Sequence, residues 1–266
     1  MDLELKGKAA IVTGGNRGIG KAIARQLARE GVNVALIARD ITALAAAAAE
    51  ISRESGGKVL HMSADTGDDA AVKKAVAEVA SAFGRIDILV NCAAQPGGQG
   101  KPPALGEITN EHFWADMNVK VMGYLRTARE VAPHMIKQKS GRIINVSGLA
   151  ARSTGTIIGS MRNVAVAALT KNLADELSPH GIAAICVHPG LTRTEKTPGV
   201  VAAQAKAQGV PEAEIEQRMA GRNLAKRLIT AEDIANVVVF LASPKAIALN
   251  GDVIPAAGGS PGVIYY

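Results

Sequence analysis

The chain has 266 residues, of which 48% are hydrophobic, with 30 Lys and Arg against 24 Asp and Glu and a formal net charge of +6 at pH 7. Such a chain can bury a large core, and a single α/β domain over residues 1–266 is expected. The basic residues are scattered along helical patterns and only three Phe, three Tyr and one Trp are available for base stacking, which argues against nucleic acid as a partner, and no apolar run approaches the roughly 20 residues of a membrane span.

Met1, Asp2, Leu3 and Glu4 carry neither the basic nor the apolar region of a secretory signal, so a cytoplasmic location is expected. Strand patterns recur at 8–12, 33–37, 58–62, 86–91, 142–147, 182–187 and 252–254, and helical patterns separate nearly all of them. This alternation predicts right-handed crossovers and a doubly wound, mainly parallel seven-stranded sheet with helices on both faces. Ligands of such a sheet bind beyond the carboxyl ends of its strands. Cys92 and Cys186 fall in predicted core strands without metal-ligand spacing, so buried free thiols and no metal site are expected.

The first strand runs into Thr13, Gly14, Gly15, Asn16, Arg17, Gly18, Ile19 and Gly20, and a helix with the apolar stripe Ile19, Ile23, Ala24 and Leu27 follows. Glycines at 14, 18 and 20 allow a tight turn and close approach of a ligand, and a helix opening at Gly18 aims free amides at an anion. Gly15 followed by Gly20 and Lys21 also approaches a P-loop, but Ala22 stands where that motif needs a Ser or Thr for magnesium. The turn resembles the cofactor loop of the short-chain dehydrogenase/reductase family, whose Rossmann-type fold binds a nicotinamide dinucleotide. The resemblance implies that Gly14, Asn16, Arg17, Gly18, Ile19 and Gly20 contact the cofactor.

After the second strand comes Ala38, Arg39 and Asp40. An NAD-specific fold has an acidic residue at the position taken here by Ala38, while Arg17 and Arg39 are suited to a ribose 2′-phosphate, so NADP(H) is the expected cofactor. Asp40 either caps the next helix or binds ribose, and the latter leaves NAD(H) as the alternative. Further landmarks follow in order. Asp65 resembles the family's adenine-contacting Asp, with Thr66 beside it, although either residue also suits a helix cap. Asn91 and Ala93 match the family's Asn-Asn-Ala-Gly at the fourth strand end, and a Gly/Pro loop is expected over 95–103. Asn118 resembles the helical Asn that shapes the active-site water network. Pro189, Gly190, Thr192 and Thr194 resemble the nicotinamide-side loop, and the polar segment 194–227 reads as a substrate lid. The resemblance extends from about residue 5 to about 259.

It breaks at the chemistry. The family's reaction uses a Ser at the fifth strand end, and a Tyr and a Lys four residues apart on the next helix. No Tyr-x-x-x-Lys occurs anywhere in this chain. Registering that helix by Leu169, Thr170 and Lys171 puts Gly159 at the Tyr position and Asn163 at the Lys position. Counting from the strand gives Ser160 with Val164, or Met161 with Ala165. Ser147 precedes Gly148, which occupies the catalytic Ser position. Asn118, Ser147, Ser160 and Asn163 are therefore the candidate catalytic residues, with Arg162, Ser153, Arg152 and His188 nearby. A positioned general acid contributes roughly 10²- to 10⁴-fold to rate, so ordinary ketone reduction is expected to be slow.

The expected function is that of an NADP(H)-dependent oxidoreductase with altered catalytic residues, acting on a small carbonyl or alcohol. The alternatives are an NADP(H)-binding sensor or inactive partner subunit without hydride transfer, and a non-redox lyase or isomerase. Apolar residues on helices 110–137 and 156–177, among them Tyr124, Ala128, Val164 and Val166, exceed what one sheet face covers. The resemblance implies that these helices join subunits in a homo-oligomer, a tetramer or dimer.

Overall fold

The computed structural model of the chain describes residues 1–94 and 102–264. Among them the strands are, in chain order, β1 (Ala9–Thr13), β2 (Asn33–Ala38), β3 (Val59–Ser63), β4 (Ile88–Asn91), β5 (Gly141–Val146), β6 (Ile182–Pro189), β7 (Thr192–Arg193), β8 (Ile229–Thr230) and β9 (Val253–Ala256). Seven of them form one parallel sheet in the order β3-β2-β1-β4-β5-β6-β9, as the sequence pattern predicts. The short pair β7 and β8, which the pattern does not reveal, forms a separate ribbon. The order reverses between β1 and β4, which opens a crevice at their carboxyl ends.

The helices are α1 (Gly18–Arg29), α2 (Ile41–Ser55), α3 (Asp69–Phe83), α4 (Asn110–Met117), α5 (Gly123–Gln138), α6 (Ile157–Leu177), α7 (Thr197–Gln208), α8 (Glu212–Ala220) and α9 (Ala231–Ala242). Every residue of β1 is buried, because both faces of the sheet are covered. Ala10 and Val12 pack with Ile23, Leu27, Leu44 and Val238 on one face. Ile11 packs with Val76, Val79, Val131 and Met135 on the other. Each such aliphatic side chain withdrawn from water contributes about 1.5 to 3 kcal/mol.

Asp40 caps α2 by accepting from the Ala43 amide. Asp68 caps α3 through the Ala71 amide, so neither Asp65 nor Thr66 has the capping role that the sequence also allows them. Of the Gly/Pro loop expected over 95–103, residues 95–101 lie outside the described residues. The segment expected as a lid contains α7 and α8, which share a small core of Val201, Ala205, Ile215, Met219 and Leu228.

The helix expected over 110–137 is interrupted. Between α4 and α5, residues Asn118–Met122 form a π turn, and Gly123 N donates to Asn118 O five residues back. Such a turn holds one extra residue and frees backbone acceptors. Here side chains take them up: Thr66 Oγ1 donates to Val119 O, and Arg126 Nη1 donates to both Asn118 O and Thr66 O. The turn carries Lys120 into the protein, where its residue is 4% exposed.

Candidate active site

The glycine loop is built by backbone packed on backbone. Thr13, at the buried end of β1, accepts at Oγ1 from the amides of Cys92 and Ala93 at 3.0 and 3.1 Å, tying this loop to the end of β4. Gly14 has φ +67°, and a Cβ there would lie 3.1 Å from Ala93 and Cys92 backbone atoms. At Gly20 a Cβ would stand 2.3 Å from Gly14 O. These positions admit only glycine without rearrangement.

Arg17 precedes α1 in an extended conformation, φ −159°, and supplies no side-chain cap. The first-turn amides of α1 therefore need another acceptor. Gly18 N donates to Glu195 Oε2 at 3.1 Å, so a carboxylate already stands where a phosphate oxygen would be held. A cavity of about 360 Å³ adjoins this contact, with Arg17, Lys21 and Arg25 on one side and Arg193, Thr194 and Glu195 on the other. A cradle with no room for Cβ atoms and with an anion at its helix start fits the diphosphate of a dinucleotide. Asn16 and Ile19 lie within the same loop and are half-buried.

The other sequence-predicted residues lie at neighbouring strand ends. Arg39 follows β2 and is exposed. Asp65 Oδ1 accepts from Gly67 N, and Thr66 is buried with its hydroxyl on Val119 O. Asn91 is wholly buried: its Nδ2 donates to Asn145 Oδ1, and its Oδ1 accepts from Thr127 Oγ1 at 2.6 Å. Its side chain joins β4, β5 and α5. Pro189 ends β6, and Gly190 lies so close to Ala257 that a Cβ would come within 2.7 Å of that side chain. Thr192 Oγ1 donates to Gly190 O, and the Thr194 amide donates to Thr197 Oγ1. Thr194 also approaches the glycine loop, 3.6 Å from a Cβ built at Gly18.

At the ends of β5 and β6 a polar cluster forms around Lys120, a residue the sequence reading passed over. Lys120 Nζ donates to Ser147 O at 3.0 Å and to Asn163 Oδ1 at 3.1 Å. Ser147 Oγ donates to Asn163 O at 3.1 Å, and a Cβ at Gly148 would lie 3.1 Å from Asn163 Nδ2. Asn163 and Gly159 occupy the buried face of α6, whereas Met161 and Val164 are each 50% exposed. Arg162 binds both carboxylate oxygens of Asp116 at 2.6 Å, joining α6 to α4. Ser160 Oγ donates to Ser153 O, and Asn118 Nδ2 donates to Gly67 O, so neither side chain is directed at Lys120.

Burial sets the electrostatics here. It lowers Lys120 to a pKa of about 7, with the Arg162 charge acting in the same direction. His188, 1% exposed, is lowered to about 4 by burial and by the charges of Arg152 and Lys120, and among the described residues neither ring nitrogen has a hydrogen-bond partner. It is a neutral imidazole near pH 7, which removes it as the proton donor its ordinary pKa suggests. Burial raises the Cys92 and Cys186 thiols to about 11 and about 12, so both stay protonated, as expected of structural thiols. Lys120 does carry a sequence signal. It stands four residues before Tyr124 and eight before Ala128, a charged residue on an otherwise apolar helical stripe. Among the described residues no group of His, Cys, Asp and Glu could hold a metal ion.

Residues 8–205 match the family model described as short chain dehydrogenase. The short-chain reductase protein NovJ of Streptomyces niveus is 35% identical over 253 residues, 95% of this chain and 93% of that protein. A sorbitol dehydrogenase of Cereibacter sphaeroides is 33% identical over 97% of this chain and 99% of its own. The crystal structure of L-sorbose reductase from Gluconobacter frateurii, complexed with NADPH and L-sorbose, superposes with a TM-score of 0.90 at 30% identity, covering 99% of this chain and all of that one. Sheet order, glycine loop and the full-length match agree: the chain is an oxidoreductase of the short-chain dehydrogenase family.

Proposed function

We propose that this protein is an NADP(H)-dependent oxidoreductase that interconverts a small carbonyl compound and its alcohol, with proton-transfer residues different from the Tyr and Lys of its family. The observation that carries the reading is the glycine cradle holding a carboxylate on Gly18 N, beside the exposed Arg17 and with Arg39 after β2. The NADPH complex of L-sorbose reductase supports the same cofactor for this chain.

When bound, NADP(H) supplies or accepts the hydride. The amides of Gly14 to Gly20, Asn16 and Ile19 included, hold its diphosphate, and Arg17 and Arg39 hold the 2′-phosphate by charge-assisted hydrogen bonds. Asp65 and Thr66 border the adenine end, with Asn91 fixing the backbone of Ala93 at the ribose. Pro189, Gly190, Thr192 and Thr194 line the nicotinamide end. Asn163 stands where the family Lys would meet the nicotinamide ribose, and Ser147 anchors Asn163. Asn118 acts by holding the π turn against the Gly67 loop. Ser160 has its hydroxyl committed to Ser153 O and takes no part in the proposed chemistry.

The segment 194–227 closes over the substrate as a lid on the single domain 1–266. Two thiols that no disulfide joins are in keeping with a cytoplasmic protein. Of the apolar residues expected to join subunits, Tyr124, Ala128 and Val166 are buried within the subunit, while Val164 is exposed. Trp114, Met122, Met161 and Val164 are exposed on α4, the π turn and α6, and we assign the contact between subunits to them. Light scattering should give a dimer or tetramer mass, and a monomer at micromolar concentration would refute that assignment.

Calorimetric titration with NADPH and NADH tests the cofactor assignment. One charge-assisted bond to the 2′-phosphate is worth roughly 1.5 to 3 kcal/mol, so NADPH should bind about ten- to a hundredfold tighter. Arg39→Ala should remove most of that preference and leave NADH binding intact. Equal affinities for the wild type would overturn the assignment.

A further inference from the structure

We propose that Lys120 is the proton-transfer group of this active site, reaching in from the π turn between α4 and α5 to do the work of the Tyr and Lys missing from α6. The proposal rests on the oxidoreductase reading above.

Gly159 has no proton to give, and Gly148 has no hydroxyl. Asn163, at the Lys position of α6, accepts the Lys120 ammonium at 3.1 Å, and Ser147 O accepts it at 3.0 Å. These two acceptors use two of the three hydrogens of the ammonium, or both hydrogens of the neutral amine. The nitrogen is therefore held in one place in either protonation state, and the proton comes and goes at the remaining tetrahedral position. A π turn is a costly local arrangement that tends to occur at functional sites. This one is supported by Thr66 and Arg126, and it delivers an otherwise solvent-seeking side chain into the interior.

The surroundings keep the amine poised. From α6 it faces Arg162, neutralised in part by Asp116 of α4. Cys92, after β4, and Cys186 on β6 stay neutral, and so does Tyr124 on α5, whose hydroxyl donates to Val146 O. His188 on β6 is neutral, and Arg152, in the turn after β5, faces it. With no carboxylate bonded to it, the buried ammonium exchanges its proton close to neutral pH, the range in which a general acid works best.

In the reductive direction the C=O π bond opens and the carbon receives the hydride named above. The oxygen then takes one proton from Lys120 Nζ. The ammonium becomes a neutral amine and regains its proton from water, and in the oxidative direction the amine removes the alcohol proton.

Two variants separate this role from a structural one. Lys120→Arg keeps the charge and cannot release a proton, and Lys120→Met keeps the volume without either. In protein made with isotope-labelled lysine, NMR should show one side-chain signal that is lost in Lys120→Met and titrates near pH 7, well below the other lysines. With NADPH and butane-2,3-dione as probe, both variants should fall by roughly 10²-fold or more in turnover and lose the neutral limb of the pH profile, while calorimetry shows unchanged NADPH binding. Lys120 titrating with the other lysines, or Lys120→Met turning over the dione at the wild-type rate, would overturn the proposal and leave the oxidoreductase reading intact. Wild-type protein that binds NADPH and oxidises none of it would instead overturn that reading and this proposal with it.

Discussion

Lys120 Nζ lies 3.1 Å from Asn163 Oδ1, so a lysine on the π turn occupies the space into which a family lysine on α6 would extend. Restoring the family pair is therefore not a matter of two substitutions. Gly159→Tyr with Asn163→Lys would set a second ammonium against Lys120. A Cβ at Gly159 would also stand 2.7 Å from the Thr156 side chain, which caps α6. We expect this double variant to be destabilised, with loss of the cap alone costing about 1 kcal/mol, and to remain poor at reducing ketones. Adding Lys120→Ala relieves the charge conflict and should raise ketone reduction over the double variant by roughly 10²-fold, as a restored general acid would. Steady-state rates and urea midpoints of the two variants check this. Equal activity would show that Lys120 and the family lysine do not compete for one place.

Stability should depend on pH in a way that Lys120 controls. Its pKa is about 7 in the fold against 10.5 in an unfolded chain, so between those values the unfolded state binds the extra proton. Stability then rises with pH across that window, by at most about 1.4 kcal/mol per unit. Cys92 and Cys186 act oppositely. The fold keeps their protons to about 11 and about 12, whereas the unfolded chain loses them near 9.0, so stability is lost above that value. His188, at about 4 in the fold against 6.5, adds a separate rise through that acid range. Urea unfolding at stepped pH should show a rise from pH 7 towards 9 that Lys120→Met abolishes. The same slope in that variant would contradict the burial of a titrating ammonium.

Glu195 bears on cofactor affinity. Its carboxylate accepts from Gly18 N and must leave before a diphosphate can take that amide. Glu195→Gln removes a negative charge competing for the helix start, an effect of about 1 kcal/mol, and should tighten NADPH binding about fivefold by calorimetry. Unchanged or weaker binding would show that Glu195 does not occupy the diphosphate position.

The frame of the site was legible because each part has a local cause. Strand and helix alternation determines the sheet, and the glycines at 14 and 20 are required wherever the loop folds against the end of β4 and onto itself. The missing Tyr and Lys were equally plain, since an absence needs no coordinates. The charge of Lys120 on an apolar stripe was legible, but its contact with Asn163 was hidden, because it spans 43 residues of sequence and is made only through a π turn. The backbone acceptors that support the turn are met by Thr66 and Arg126, and no spacing rule within 110–137 contains that information. His188 shows the same dependence on its surroundings. Its ordinary pKa suggests a proton donor, and only its burial beside Arg152 and Lys120 makes it a neutral ring.

In the proposed reaction this chain transfers hydride from NADPH without the Tyr and Lys of α6. A single-turnover experiment shows whether it does. NADPH-saturated protein is mixed with butane-2,3-dione, and nicotinamide absorbance is followed, with and without deuterium at the transferred position. The bound NADPH should be oxidised in one phase, with an amplitude equal to the bound amount and a slower rate for the deuterated cofactor. Stoichiometrically bound NADPH that neither this dione nor a panel of ketones and aldehydes oxidises would contradict it, and would leave a protein that binds the cofactor without using it.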